Sequence, residues 1–135
     1  MTACYCGSGQ AFAECCEPYH LSQKQAGTAE VLMRSRYSAF VLENEMYLLT
    51  TWDEAKRPLS LDFAKDGVTW QRLEIIRCNK GREVHSQGTV EFKAYYQQDS
   101  QHFVLHEISR FSKKQGVWRY IDGAVKVSSV SVAKS

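Results

Sequence analysis

The sequence predicts an α+β fold in which a small cysteine-held N-terminal segment precedes helices packed on a curved antiparallel sheet. Three observations carry that prediction. Four of the five cysteines fall at positions 4, 6, 15 and 16. Apolar residues repeat with a helical period over residues 28–44 and with a period of two after Pro58. Short turns rich in Gly, Asn and Asp separate the later segments, so consecutive strands pair antiparallel. With 44% hydrophobic and 24% charged residues, the 135-residue chain can build one core and is too apolar for a disordered segment.

The N-terminal segment reads Cys4-Tyr5-Cys6-Gly7-Ser8-Gly9-Gln10-Ala11-Phe12-Ala13-Glu14-Cys15-Cys16, with His20 four residues on. A disulfide framework, redox-active thiols and a thiolate metal site are the competing chemistries. The first residues carry no basic region and no apolar stretch of the secretory kind, so the expected compartment is the reducing cytoplasm and the metal reading leads. A segment this short cannot bury enough apolar surface to fold alone. A tetrahedral zinc ion supplies the difference, roughly 10–16 kcal/mol in finger-sized peptides. The Gly7-Ser8-Gly9 stretch suits a tight turn that aims backbone N–H groups at the sulfurs. Phe12 is the one large apolar residue between the cysteine pairs and pins the knuckle. Two ligand sets fit the spacing. One is Cys4, Cys6, Cys15 and Cys16, with His20 donating to a thiolate; the other replaces Cys16 by His20.

Residues 17–27 read as a connector. Thr28 is an N-cap for a helix over residues 28–44, with Leu32, Met33, Tyr37, Phe40 and Val41 on one face, Arg34 and Ser38 away from it, and Asn44 at its end. Residues 45–50 form a second short helix, and Pro58 stops helical structure. Residues 69–78 read as the first strand, with Cys78 as a small buried side chain at its end. Residues 83–97 form the second strand, in which Val84, Gly88, Val90, Phe92, Ala94 and Tyr96 share a face. Residues 101–111 form the third, placing Glu107 with Phe103, Leu105 and Phe111. Residues 117–121 form the fourth, closed by a turn at Asp122-Gly123.

The spacing C-x-C-x8-C-C with its Gly-Ser-Gly insert resembles the SEC-C motif found at the C-terminal tail of the SecA translocation ATPase. That resemblance implies Cys4, Cys6, Cys15 and Cys16 as ligands of a structural zinc ion with no open coordination position, on a knuckle that docks partner proteins. The stretches LMRSRYSAFVLEN, YLLTTWDEAKRP, LHEISRF and WRYIDG resemble the YchJ-like bacterial family, which joins a SEC-C motif to a cone-shaped domain of the nuclear-transport-factor and ketosteroid-isomerase type. The resemblance covers residues 3 to about 123 and implies a knuckle over 1–22 and a cone domain over 23–135. Some members carry a second cysteine cluster near the C-terminus, and residues 124–135 hold no cysteine. The family implies a fold and a metal but no reaction.

A cone encloses a pocket, and Arg34, Arg36, Tyr37, Trp52, Glu107, Trp118 and Tyr120 are the candidates to line it. Glu107 lies on an apolar strand face. It is either a carboxylate poised for acid–base work or, as the favoured expectation, the partner of Arg34 or Arg36 in a buried ion pair. Net charge is +2, and residues 1–27 carry two acids against one lysine, so a nucleic-acid interface is not expected. No apolar run exceeds four residues, so none spans a bilayer. The expected partner is a protein bound by the knuckle, and a small molecule in the cone pocket is the alternative.

Overall fold

A computed structural model describes residues 2–63 and 67–130. Of the two segments read from the sequence, parts of 1–22 (Met1) and of 23–135 (64–66 and 131–135) lie outside the described residues. A 3₁₀ turn (Phe12–Glu14) and helix α1 (Glu17–His20) belong to the cysteine-rich segment. Helices α2 (Ala29–Val41) and α3 (Glu45–Thr50) follow, then strands β1 (Thr69–Lys80), β2 (Gln87–Gln98), β3 (Gln101–Lys114) and β4 (Val117–Val130). The strands form one antiparallel meander in the order β1-β2-β3-β4.

Thr28 caps α2 as its side chain predicts, its Oγ1 accepting from the Val31 N–H at 3.1 Å. Asn44 does not end that helix. Leu42 closes it, the chain turns at Glu43 (φ +56°), and Asn44 Oδ1 caps α3 by accepting from the Tyr47 N–H at 3.2 Å. An asparagine oxygen is a better start than stop for a helix, because it replaces the missing carbonyl partner of the first turn.

Two hairpins close on two-residue left-handed turns, Asp99-Ser100 (φ 53° and 65°) and Gln115-Gly116 (φ 53° and 80°), whose twist matches that of the flanking strands. The second strand begins later than expected, at Gln87, and Val84 lies outside it and is exposed. The alternation from Gly88 to Tyr96 is otherwise as read. The fourth strand is much longer than expected. No turn forms at Asp122-Gly123, because Asp122 lies opposite Arg110, which donates to both its carboxylate oxygens at 2.6 and 2.7 Å. Irregularities at Trp70/Arg72, Ile75/Arg77 and Arg110/Phe111 bend the sheet around the helices.

The core joins Ala29, Leu32, Met33 and Tyr37 of α2 to Val90, Phe92, Ala94, Phe111 and Trp118 of the sheet. The opposite side of α2 is buried too: Ser35, Arg36 and Ser38 are at most 3% exposed. Ser38, read as lying away from the packed face, therefore faces a second buried layer. Cys78 is exposed rather than buried, near the paired end of β1, with its Sγ 3.4 Å from Glu30 Oε1. Along the outer edge of β4, Tyr120 N–H donates to Thr51 O and Asp53 N–H donates to Tyr120 O, so residues 51–53 shield the first half of that edge. Among the described residues no helix is long and apolar enough to cross a membrane.

Where the chain enters β2, Gly81 and Gly88 lie backbone against backbone, and a Cβ on Gly88 would overlap Gly81. Gly88→Ala is expected to lose about 3 kcal/mol of stability, as overpacking against an unyielding backbone does. Gly116→Ala meets no atom within 4 Å and suffers only from its φ of +80°, a loss of about 1 kcal/mol. Urea unfolding of both variants measures the difference, and equal losses would show that the Gly81–Gly88 approach is not tight.

Candidate metal centre

The cysteine-rich segment folds back on itself before any metal is considered. Cys4 N–H donates to Gln10 O at 2.8 Å and Phe12 N–H donates to Thr2 O at 2.9 Å, around a turn in which Gly7 and Gly9 take φ of 79° and 88°. Only glycine adopts such angles cheaply. The 3₁₀ turn then presents Cys15, and Cys16 precedes α1, which Pro18 helps to start.

The result is a set of four sulfurs, those of Cys4, Cys6, Cys15 and Cys16, all within 4.8 Å of one another. Cys6 and Cys15 are 3.6 Å apart and Cys15 and Cys16 4.0 Å. A tetrahedral shell with metal–sulfur bonds of about 2.3 Å holds its sulfurs about 3.8 Å apart, so the set fits a four-sulfur ion. The hydrogen bond from the Cys16 thiol, with help from Ser8, pulls Cys6 down to about 4 against the effect of burial. The same bond and burial push Cys16 upward. Four thiolates within 4.8 Å of one another repel, and a divalent cation is the charge that lets all four ionise together. Ser8 Oγ lies 3.1 Å from Cys15 Sγ and Ser38 Oγ 3.6 Å from Cys4 Sγ, while Arg34 Nη1 donates to Cys6 O at 2.8 Å.

His20 takes another place. Its Nε2 donates to Ser35 O on α2 at 2.8 Å, and its ring packs against Phe12 and Tyr47 at 5.7 and 4.7 Å between centroids. Burial holds its pKa below the ordinary value. Cys16 lies with the other three sulfurs, and His20 pins the knuckle to α2.

The seven pocket candidates separate. Arg34 sits under the knuckle, bound to Glu30 at 2.9 Å as well as to Cys6 O. Tyr37 and Trp118 are core residues, with Tyr37 edge-on to Trp70 and Trp118 Nε1 donating to Gly27 O at 3.1 Å. The other four meet. The buried Arg36 donates to Leu48 O and Thr51 Oγ1 at 2.8 and 2.7 Å and lies 5.2 and 4.6 Å from the ring centroids of Trp52 and Tyr120. Burial lowers its pKa to about 10, opposed by Tyr120, Tyr47 and Glu107, so it remains a cation at neutral pH.

The expected Glu107–arginine pair does not form. Glu107 is 9% exposed, and its Oε2 accepts from Ser109 Oγ at 2.5 Å and from Tyr120 OH at 3.0 Å. Among the described residues it makes no ion pair, because the Tyr120 ring stands between it and Arg36. Burial and the Glu107 charge both push Tyr120 upward, which keeps its phenol protonated to donate. Gly123 completes the site, since a Cβ there would overlap the Glu107 carboxylate. Ser109 is among the polar residues the sequence offers to the cone interior, since strand alternation places it two residues from Glu107 on the same face, and the structure shows it donating to that carboxylate. Sequence reading missed Ser35 and Ser38, for which one-face helical periodicity holds no signal.

Residues 28–123 match the family described as YchJ, middle NTF2-like domain, and residues 2–18 match the SEC-C motif. The chain belongs to the YchJ-like family. A UPF0225 protein of Streptomyces coelicolor is 44% identical over 120 residues, covering 89% of this chain and 93% of that protein. A second, from Bordetella parapertussis, is 42% identical over 126 residues, covering 92% of this chain and 93% of its own. The solution structure of a SEC-C motif containing protein from Rhodopseudomonas palustris superposes with a TM-score of 0.79 at 31% identity, covering 90% of this chain and 96% of that one. A crystal structure of a SEC-C motif containing protein from Psychrobacter arcticus gives 0.73 at 30% identity, covering 96% and 84%. Family membership thus agrees with a cysteine cluster suited to a metal and with a helix-on-sheet domain, and it assigns no activity.

Two measurements test this geometry. Tyr120→Phe removes a donor to a buried carboxylate and should lose about 2 kcal/mol, whereas Glu107→Gln keeps an acceptor for both hydroxyls and should lose about 1 kcal/mol or less. A larger loss for the glutamine variant in chemical denaturation would restore a charged partner. Chelation should raise hydrogen exchange in residues 2–22 and around Ser35 and Ser38 while β2 and β3 stay protected. Unfolding of the whole chain in one step would show that knuckle and cone are a single cooperative unit.

Proposed function

We propose that this chain is a zinc-stabilised docking module that presents its SEC-C knuckle to a partner protein in the cytoplasm. The observation that carries the reading is a closed four-sulfur set held from behind and open in front. Arg34, Ser38 and His20 tie the back of the knuckle to α2 and its neighbours. The outer turn, from Gly7 to Gln10, faces solvent beside the half-exposed ring of Tyr5. Four thiolates suit zinc, and four protein ligands leave no position for a substrate, so the ion's role is structural. All five cysteines are free, which suits a reducing compartment. A small exposed aromatic on a rigid turn is the kind of anchor protein interfaces use. The cone interior argues the same way, because Arg36, Trp52, Tyr120 and Glu107 fill it: Arg36 is bonded to Leu48 O and Thr51 and stacks on the Trp52 and Tyr120 rings, Tyr120 donates to Glu107, and the buried Trp52 Nε1 alone has no acceptor among the described residues.

The test has two parts. Elemental analysis of reduced protein should find about one zinc per chain. The immobilised full chain should then retain a partner that the Tyr5→Ser variant, with its zinc intact, does not. Absence of zinc, or capture unchanged by Tyr5→Ser, would refute the proposal.

A further inference from the structure

A cleft opens at the seam between knuckle and cone. It measures about 270 Å³ and lies between Tyr19 of α1, the connector at Ser22 and Lys24, the end of α3 and the start of β4. Leu32 and Trp118, both almost wholly buried, form its apolar floor. Trp118 is fixed there by its Nε1, which donates to Gly27 O at 3.1 Å. Much of the wall is hydroxyl. Thr50 and Thr51 both donate to Tyr47 O, at 3.2 and 2.6 Å. The hydroxyls of Tyr19 and Ser22 have no protein partner among the described residues and are free to donate into the cleft.

The charged side chains among its lining residues are Lys24 and Arg119, and neither forms an ion pair among the described residues. Arg119 Nη1 donates to Thr50 O, which anchors the guanidinium and leaves its Nε–Nη2 edge without a protein partner among the described residues. That edge is the planar fork that grips a carboxylate through two parallel N–H bonds. Asp53 and Glu54 border a separate opening that Arg119 shares, and Asp53 is held by Lys114 at 3.0 Å. The segments outside the described residues join the chain elsewhere. Residues 64–66 follow Phe63, which packs on Phe40, about 12 Å along α2 from Leu32. Residues 131–135 follow the opposite end of β4 from Val117, about 40 Å away along the strand. Two cations alone would take any anion. The apolar floor and a space larger than an inorganic ion needs select an anion with an organic body.

We propose that this cleft binds a small organic carboxylate, its charge between Arg119 and Lys24 and its apolar body on Trp118 and Leu32. Such a ligand touches α1 and β4 at once and ties the knuckle to the cone. The inference does not depend on the docking role of the knuckle.

The test uses the full, metal-loaded chain with benzoate as probe at constant ionic strength, followed by the Trp118 indole N–H resonance. Saturable shifts there and at the backbone of Lys24 and Thr51 are expected, with a dissociation constant on the order of a millimolar. The uncharged isostere benzamide should bind about tenfold more weakly, and Arg119→Gln should weaken benzoate by about the same factor. Lys24→Gln, at an exposed position, should weaken it about twofold to threefold. Inorganic phosphate should compete poorly. Equal binding of benzoate and benzamide, unchanged affinity in Arg119→Gln, phosphate binding as tight as benzoate, or shifts that never saturate would overturn the proposal. The comparison of benzoate with benzamide and phosphate is made on the unaltered chain and stands even if Arg119→Gln fails to fold.

Discussion

Helix α2 is buried on two opposite sides, and much of the molecule is arranged to satisfy the polar groups that this leaves out of water. A helix on the surface of a small domain normally buries one stripe and solvates the other. Here the stripe of Leu32, Met33 and Tyr37 packs on the sheet, while Ser35, Arg36 and Ser38 are covered by the knuckle and by α3. An unpaired buried hydroxyl or guanidinium costs more than its hydrogen bond returns elsewhere. Each therefore has a designated partner. Ser35 bonds the Tyr47 hydroxyl at 2.6 Å, Ser38 meets Cys4, and Arg36 reaches the carbonyl end of α3.

This requirement sets how the cysteine cluster is presented. The turn between Cys6 and Gln10 shapes the cluster locally, but its orientation comes from contacts to α2. Arg34 binds the Cys6 carbonyl and His20 binds the Ser35 carbonyl. Leu73 of β1 packs against the sulfurs as well. A metal at the four sulfurs would stabilise the turn and, through these contacts, the outer layer over α2. The main apolar core between α2 and the sheet consists of other residues than the cysteine cluster, and Leu73 packs against both.

The second buried layer also explains what became of the cone interior. A bare arginine–glutamate pair would remove two charges from water in return for one contact. The molecule instead separates them by an aromatic ring. Arg36 rests between Trp52 and Tyr120, and the Tyr120 hydroxyl carries the interaction on to Glu107. Ser109 supplies the second donor, and Gly123 leaves room for the carboxylate. Five side chains thus fill space that a deeper pocket would occupy. A cleft opens farther along α2, beside its last aromatic residue, Phe40, which packs against Trp70 of β1.

The sequence by itself determined the features that depend on neighbours along the chain. The knuckle follows from cysteine spacing and glycine at the turn, and the Thr28 cap and the two short hairpin turns follow from local backbone chemistry. Alternation in β2 and β3 was legible because a strand records its buried face in every second residue. Only the tertiary structure decided which polar groups meet. Asp122-Gly123 has the composition of a turn, yet lies mid-strand because Arg110 and Glu107 stand beside it. His20 has the spacing of a ligand, yet the carbonyl of Ser35 claims it. Glu107 has the surroundings of a salt-bridge residue, yet two hydroxyls reach it first. In each case at least one deciding contact joins residues distant in sequence or on adjacent strands, and a polar side chain states only that it needs a partner, not which one it will find.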